Sequence, residues 1–146
     1  MTEEFHSCSE HGTRQIARHF AASLHPGDII SLSGQLGAGK TVFMRGIAEF
    51  FNCDEQLSSP TFSLFNIYQG TFGCEEVALH HFDLYRIKSL RELDAIGFDE
   101  YLQSGYLSIV EWADRFPYYT SLYTHSVSLE YTNDKSRRIR CKRTVR

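Results

Sequence analysis

The chain has 146 residues, 42% of them hydrophobic and 14% aromatic, and a formal net charge of −3 at neutral pH. That length gives room for one compact domain, and the composition excludes a disordered chain or a repeat solenoid. Apolar runs fall short of the roughly 18 residues that span a bilayer, and the opening "MTEEFHSCSE" is too acidic and polar for a secretory signal, so a soluble, cytoplasmic protein is expected, with no membrane contact.

In chain order, residues from about Ser9 to Leu24 read as an amphipathic helix. Ile16, Ala17, Phe20, Ala21 and Leu24 share one side, Ser9 or Thr13 can cap the start, and Pro26 and Gly27 stop it. "DIISLSG" follows as a short apolar strand, and "KTVFMRGIAEFF" as a helix with Val42, Phe43, Met44, Ile47, Phe50 and Phe51 at helical spacing. "NCDEQLSSP" is a polar loop closed by Pro60. "TFSLFNIYQG" and "EEVALHHFDLYRI" read as two strands joined by a hairpin turn in "QGTFGCE". "SLRELDAIGFDEYLQSG" supplies one or two short helices, with Ser89 and Glu92 spaced as a capping box and Gly97 and Gly105 as stops. "YLSIVEW" is a further strand ending in an acid, and "HSVSLEYTNDKSRRIRCKR" is two strands around an Asn-Asp-Lys turn. The expected fold is α/β: a single P-loop-type domain whose central sheet is mixed, partly antiparallel and flanked by helices.

The strand, glycine-rich turn and helix between Ile29 and Phe51 carry the first chemical signal. Gly34, Gly39, Lys40 and Thr41 match G-x-x-x-x-G-K-[ST] position by position in the strand-to-helix context that motif requires. Glycines let successive N–H groups curl around phosphates, and the helix N-terminus adds free N–H groups and a positive dipole end. The expected nucleotide-binding set is Gly34, Gln35, Leu36, Gly37, Ala38, Gly39, Lys40, Thr41 and Val42. Lys40 would reach the outer phosphates of a nucleoside triphosphate, and the Thr41 hydroxyl would bind Mg²⁺.

Such a loop needs an acid to hold the metal and a polar group to orient water. Two strands end in candidates, Asp83 in "ALHHFDLYR" and Glu111 in "LSIVEWADR". By apolar run Glu111 is the better Walker B match, because His80 and His81 interrupt the run before Asp83; pattern leaves the two roles open. The four cysteines contain no C-x-x-C pair and the other histidines are scattered, so neither a zinc site nor a disulfide framework follows, and the thiols read as reduced.

"SGQLGAGKT", "SSPTFSLFNIY", "HHFDLYRI", "ELDAIGFDEYL" and "LSIVEWADRF" resemble, in order and spacing, the bacterial TsaE (YjeE) ATPases of tRNA threonylcarbamoyladenosine biosynthesis. The resemblance covers roughly Gly12 to Phe116. It implies ATP as the nucleotide and Asp83 as the Walker B-like acid associated with Mg²⁺. It also implies Glu111 as a second acid near the γ-phosphate, Thr61 in a switch-like loop that senses the triphosphate, and Trp112 near the nucleotide. Its implied partners are TsaB-like and TsaD-like proteins, with tRNA engaged indirectly through them.

Two further functions compete. A small-molecule or nucleotide kinase shares the P-loop but needs a lid carrying arginines, and between Lys40 and Asp83 the chain has only Arg45; a nucleotide-dependent binding module without turnover shares most of the same residues. Guanine-reading N-K-x-D is absent, which disfavours a GTPase. Outside the P-loop helix, Arg86 in "HHFDLYRI" is singled out as the arginine beside a matched motif. The last 14 residues hold seven of the 15 Lys and Arg. They read as an edge strand, "RRIRCKR", with Ile139 and Cys141 facing in and cations blocking edge-to-edge pairing; contact with RNA or an acidic protein is the alternative.

Overall fold

The computed structural model describes residues 1–35, 37–53, 65–132 and 135–144. Leu36, Thr61, most of the "NCDEQLSSP" loop and the Asn133–Asp134 part of the last turn lie outside the described residues. In chain order the elements are β1 (Thr2–Ser7), α1 (Glu10–Ala21), β2 (Ile29–Gly34), α2 (Lys40–Phe50), β3 (Phe65–Phe72) and β4 (Glu75–Asp83). These are followed by α3 (Leu90–Ile96), α4 (Phe98–Leu102), β5 (Leu107–Glu111), β6 (His125–Tyr131) and β7 (Arg137–Arg143). Two short 3₁₀ segments, Ala113–Arg115 and Pro117–Leu122, link β5 to β6.

The strands form one sheet in the order β1-β7-β6-β2-β5-β4-β3. β6, β2, β5 and β4 run parallel, while β7 and β1 on one flank and β3 on the other pair antiparallel. The expected mixed sheet flanked by helices is therefore what the chain forms. On one face α1 and α2 cover β2 and β6 through Ala17, Phe20, Phe43, Met44 and Ile47 against Ile30, Leu32, Val127 and Leu129. On the other, α3, α4 and the 3₁₀ segments bring Leu93, Phe98, Leu102 and Tyr119 against Phe82 and Val110. Burying each aromatic of this kind, such as the fully enclosed Phe43 and Phe82, contributes about 1.5–3 kcal/mol.

Local chemistry sets the element ends. The Ser9 side chain accepts from the Gly12 N–H at 3.0 Å and starts α1; the helix ends at Ala21, short of the expected Leu24, which is buried all the same. Ser89 caps α3 by accepting from the Glu92 N–H, while Glu92 reaches back to the Lys88 N–H at 2.9 Å. Gly97, at φ +74°, separates α3 from α4.

The edge-strand reading of the basic tail is overturned. β7 is an interior strand, paired on one side with β6 and on the other with β1, where Phe5 faces Ile139. Ile139 and Cys141 do face the core, so the alternation was read correctly and the position was not. β1 escaped notice because "TEEFHS" has one large apolar residue and an otherwise polar pattern, which gives a half-solvated outer strand little signal. The tail's cations meet acids across the strands: Arg138 pairs with Glu4 and Glu130, both at 2.9 Å.

Candidate functional site

Parallel strands place ligands at their carboxyl ends, where neighbouring connections leave in different directions. Here β2 runs out into the phosphate loop, with β5 beside it and β4 one strand further. In register, Leu32 of β2 lies opposite Glu111 of β5, and Glu111 lies opposite Asp83 of β4. The two acids nominated by strand ends therefore stand side by side, next to the loop. A cleft of about 370 Å³ opens there, lined by Gly37, Gly39, Lys40, Thr41, Val42, Asp83, Tyr85, Glu111 and Trp112, together with Glu10 and Arg137.

The loop backbone is shaped for close approach. Gly37 and Gly39 take φ of +82° and +102° on either side of the fully buried Ala38. A Cβ on Gly34, at φ +155°, would sit 2.7 Å from the Leu129 carbonyl oxygen of β6. Gln35 turns the loop by accepting from the Ala38 N–H at 3.0 Å. Lys40, the first residue of α2, points its Nζ back to the Gly34 carbonyl oxygen at 2.7 Å and over the Trp112 ring at 3.8 Å from its centroid. Burial lowers the Lys40 pKa from its ordinary 10.5, with Glu111, Asp83 and Asp114 pulling it back up. An anion delivered beside it would offset that desolvation.

Glu111 is 3% exposed and its Oε2 lies 2.6 Å from His81 Nε2, on the adjacent strand and equally enclosed. One carboxylate oxygen is thus engaged by an imidazole while the residue still lines the cleft. Asp83 accepts from the Tyr85 N–H at 3.0 Å. Burial raises its pKa from the ordinary 3.8, the Tyr85 N–H opposes this, and nearby Glu111 adds to it. Trp112 holds a left-handed backbone at φ +60° just past β5, and Tyr85 packs on it with ring centroids 4.9 Å apart.

The sequence-nominated residues Lys40, Thr41, Val42, Asp83, Glu111 and Trp112 converge on one cleft with Gly37 and Gly39; Leu36 and Thr61 lie outside the described residues. Sequence reasoning missed three contributors. His81 was read, with His80, only as an interruption of the apolar run before Asp83, although its place two residues before that acid puts it on the same strand. Arg137 was read as surface charge, yet its Nε donates to the Ala38 carbonyl at 2.9 Å. Glu10 carried no signal. Arg86 is not alone near the matched motifs: Arg115, inside "LSIVEWADRF", donates to the Tyr85 carbonyl, and Arg137 is brought in from 99 residues away.

A family model described as "Threonylcarbamoyl adenosine biosynthesis protein TsaE" matches residues 7–141. The chain belongs to the TsaE family. The TsaE protein of Rickettsia conorii is 39% identical over 131 residues, covering 88% of this chain and 71% of that one. The TsaE of Bacillus subtilis is 39% identical over 101 residues, covering 69% and 60%. The crystal structure of Bacillus subtilis YdiB superposes with a TM-score of 0.73 at 26% identity, covering 99% of this chain and 87% of that one. TsaE-family proteins take part in the biosynthesis of tRNA threonylcarbamoyladenosine. The match to the family reaches well past Phe116, so the basic C-terminal pair of strands belongs to the TsaE domain. No helix among the described residues is long and apolar enough to cross a membrane.

The donor set at the cleft is one of hard oxygen ligands. Thr41, Asp83 and Glu111 offer oxygen ligands, and no group of three or more His, Cys, Asp and Glu that could hold a metal occurs among the described residues. Mg²⁺ is commonly held in this way, through one or two protein groups plus phosphate oxygens and water.

Proposed function

We propose that this TsaE-family chain is a cytoplasmic, Mg²⁺-dependent ATPase whose cycle drives or regulates TsaB-like and TsaD-like partners that modify tRNA. The observation that carries this reading is the gathering of Lys40, Thr41, Asp83 and Glu111 around one cleft. In it, the loop N–H groups and Lys40 bind the phosphates, Thr41 and Asp83 hold the cation, and Glu111 orients the attacking water. Each acid has one oxygen engaged, Glu111 by His81 and Asp83 by the Tyr85 N–H, but Glu111 is 3% exposed while Asp83 is only half-buried, which supports giving the hydrated cation to Asp83. Mg²⁺, when bound, neutralises charge on the transferring phosphoryl group. Trp112 and Tyr85 shield one side, but Tyr85 is 46% exposed, so water is excluded only in part and turnover of the isolated chain is expected to be slow.

Steady-state phosphate release by the purified chain, with and without the two partners, tests this. The expected result is a slow basal rate raised by the partners. A rate on the order of tens per second alone, unchanged by them, would be that of a self-sufficient enzyme and would favour the kinase reading. Lys40→Ala should weaken ATP binding by about 1.5–3 kcal/mol, roughly ten- to hundredfold in Kd, through loss of a charge-assisted contact. Parental affinity in a calorimetric titration with Mg²⁺ would count against the nucleotide site.

A further inference from the structure

A phosphate loop that turns its N–H groups inward turns carbonyls outward, and an outward carbonyl that is buried needs a donor. Ala38 sits between the two positive-φ glycines of the loop and is 0% exposed. Its carbonyl accepts from Arg137 Nε at 2.9 Å. That guanidinium is itself held: Nη2 donates to the Tyr131 hydroxyl at 2.9 Å, and the carbon centre lies 4.6 Å from the Tyr131 ring centroid. Tyr131 ends β6, Arg137 begins β7, and the two are register partners. The turn between them is closed by the Thr132 N–H on the Ser136 carbonyl at 2.9 Å.

Loop and arginine have no slack between them. A Cβ on Gly39 would lie 3.1 Å from Arg137 Nε and 3.3 Å from its Cδ. Sheet order also puts this cation across the loop from the acids: β7 and β6 lie on one side of β2, β5 and β4 on the other. A planar fork on a ring face suits the task, because one group can meet the loop carbonyl and the tyrosine in fixed directions, which a flexible ammonium cannot do.

We propose that Arg137, braced by Tyr131, is a positioning residue of the phosphate site: it holds the Ala38 carbonyl outward so that the loop keeps its phosphate-binding shape. The proposal rests on the nucleotide reading above and deepens it, since it makes the C-terminal hairpin part of phosphate recognition.

The test is equilibrium titration of the full chain with Mg-ATP and with tripolyphosphate, which carries the phosphates without a nucleoside. Arg137→Ala is expected to weaken both ligands alike, by roughly tenfold, the order of one charge-assisted hydrogen bond. Arg137→Lys should recover part of this, because it keeps the charge but not the fork. A role confined to anchoring the strand would lower the melting temperature and leave the affinities of the folded protein unchanged. Affinity for tripolyphosphate within twofold of the parent, in an Arg137→Ala chain that folds, overturns the proposal; so does a loss for ATP not shared by tripolyphosphate, which would make Arg137 a nucleoside contact. Should Arg137→Ala fail to fold, Tyr131→Ala decides, since Tyr131 is 49% exposed and dispensable to the core: weakened tripolyphosphate binding supports the proposal and parental binding overturns it. Lys40→Ala separates the two levels. A loss there with none in the Arg137 variant refutes the positioning role only, while no loss in either refutes the nucleotide site as well.

Discussion

The two sides of the phosphate loop are built by different means. On the side of β5 and β4, parallel strands deliver Asp83 and Glu111 from their carboxyl ends, in register and directly opposite each other. On the side of β6 and β7, an antiparallel hairpin folds back so that Arg137 reaches the Ala38 carbonyl. The first side follows a rule of position, that functional groups gather at parallel strand ends. The second depends on which residues happen to meet when a hairpin docks. The difference teaches that acids and cations in one cleft need not be equally legible, even when they are equally close to the chemistry.

If the acid side performs the chemistry and the basic side shapes the loop, their variants must fail differently. The largest effect is expected from Glu111→Gln, which keeps the shape and a hydrogen-bonding partner for His81 but removes the proton acceptor. Turnover should fall by about 10² to 10⁴, the usual contribution of a positioned acid or base, with ATP affinity little changed. Weakened binding at an unchanged rate would erase the contrast with Arg137. His81→Ala should lower turnover in the same direction by a smaller factor, measured in the same assay.

Where the loop packs directly against β6, the response is expected in stability. Gly34→Ala forces a Cβ to within 2.7 Å of the Leu129 carbonyl oxygen at a φ of +155°, and overpacking of this kind costs about 1–3 kcal/mol. Denaturant unfolding measures it, and a neutral result would mean that β6 does not hold the loop closely.

The smallest effect concerns pH. Burial raises the Asp83 pKa above 3.8 in the folded chain, so in the window from 3.8 up to that raised value the folded state binds more protons than the unfolded one. Stability contributed by the protonated group is therefore lost as pH rises through the window. Asp83→Asn should show no such loss while still accepting from the Tyr85 N–H. Its melting temperature, measured without nucleotide or metal, should gain on the parent between pH 4 and 7, and turnover should drop. A variant that instead lost ground with rising pH would show that Lys40 and His81, not burial, dominate the carboxylate. A trade of stability for function is expected where a buried charge waits for a ligand.

The same contrast explains what was readable. Gly34, Gly39, Lys40 and Thr41 are adjacent in the chain, and Asp83 and Glu111 end apolar runs, so local spacing and strand periodicity were enough to nominate them. The α/β class followed from the same periodicities. β1 was not foreseen, because a polar outer strand with Phe5 as its one large apolar residue satisfies its backbone only by pairing with β7. For the same reason β7, which alternates as an edge strand would, could not be recognised as interior from its own residues.

Amino-acid order by itself determined the phosphate loop, the two strand-end acids and the inward faces of nearly every element, since each depends on residues within a few positions of one another. Tertiary structure alone decided that Glu111 meets His81, that Lys40 lies over Trp112 and that Arg137 reaches Ala38. These contacts join residues 30, 72 and 99 positions apart in the numbering, and the cost of closing such loops is recovered only when a whole sheet and its covering helices pack together. Nothing local in "SRRIRCKR" distinguishes the arginine that enters the cleft from the two that pair with Glu4; the register of one hairpin makes that choice.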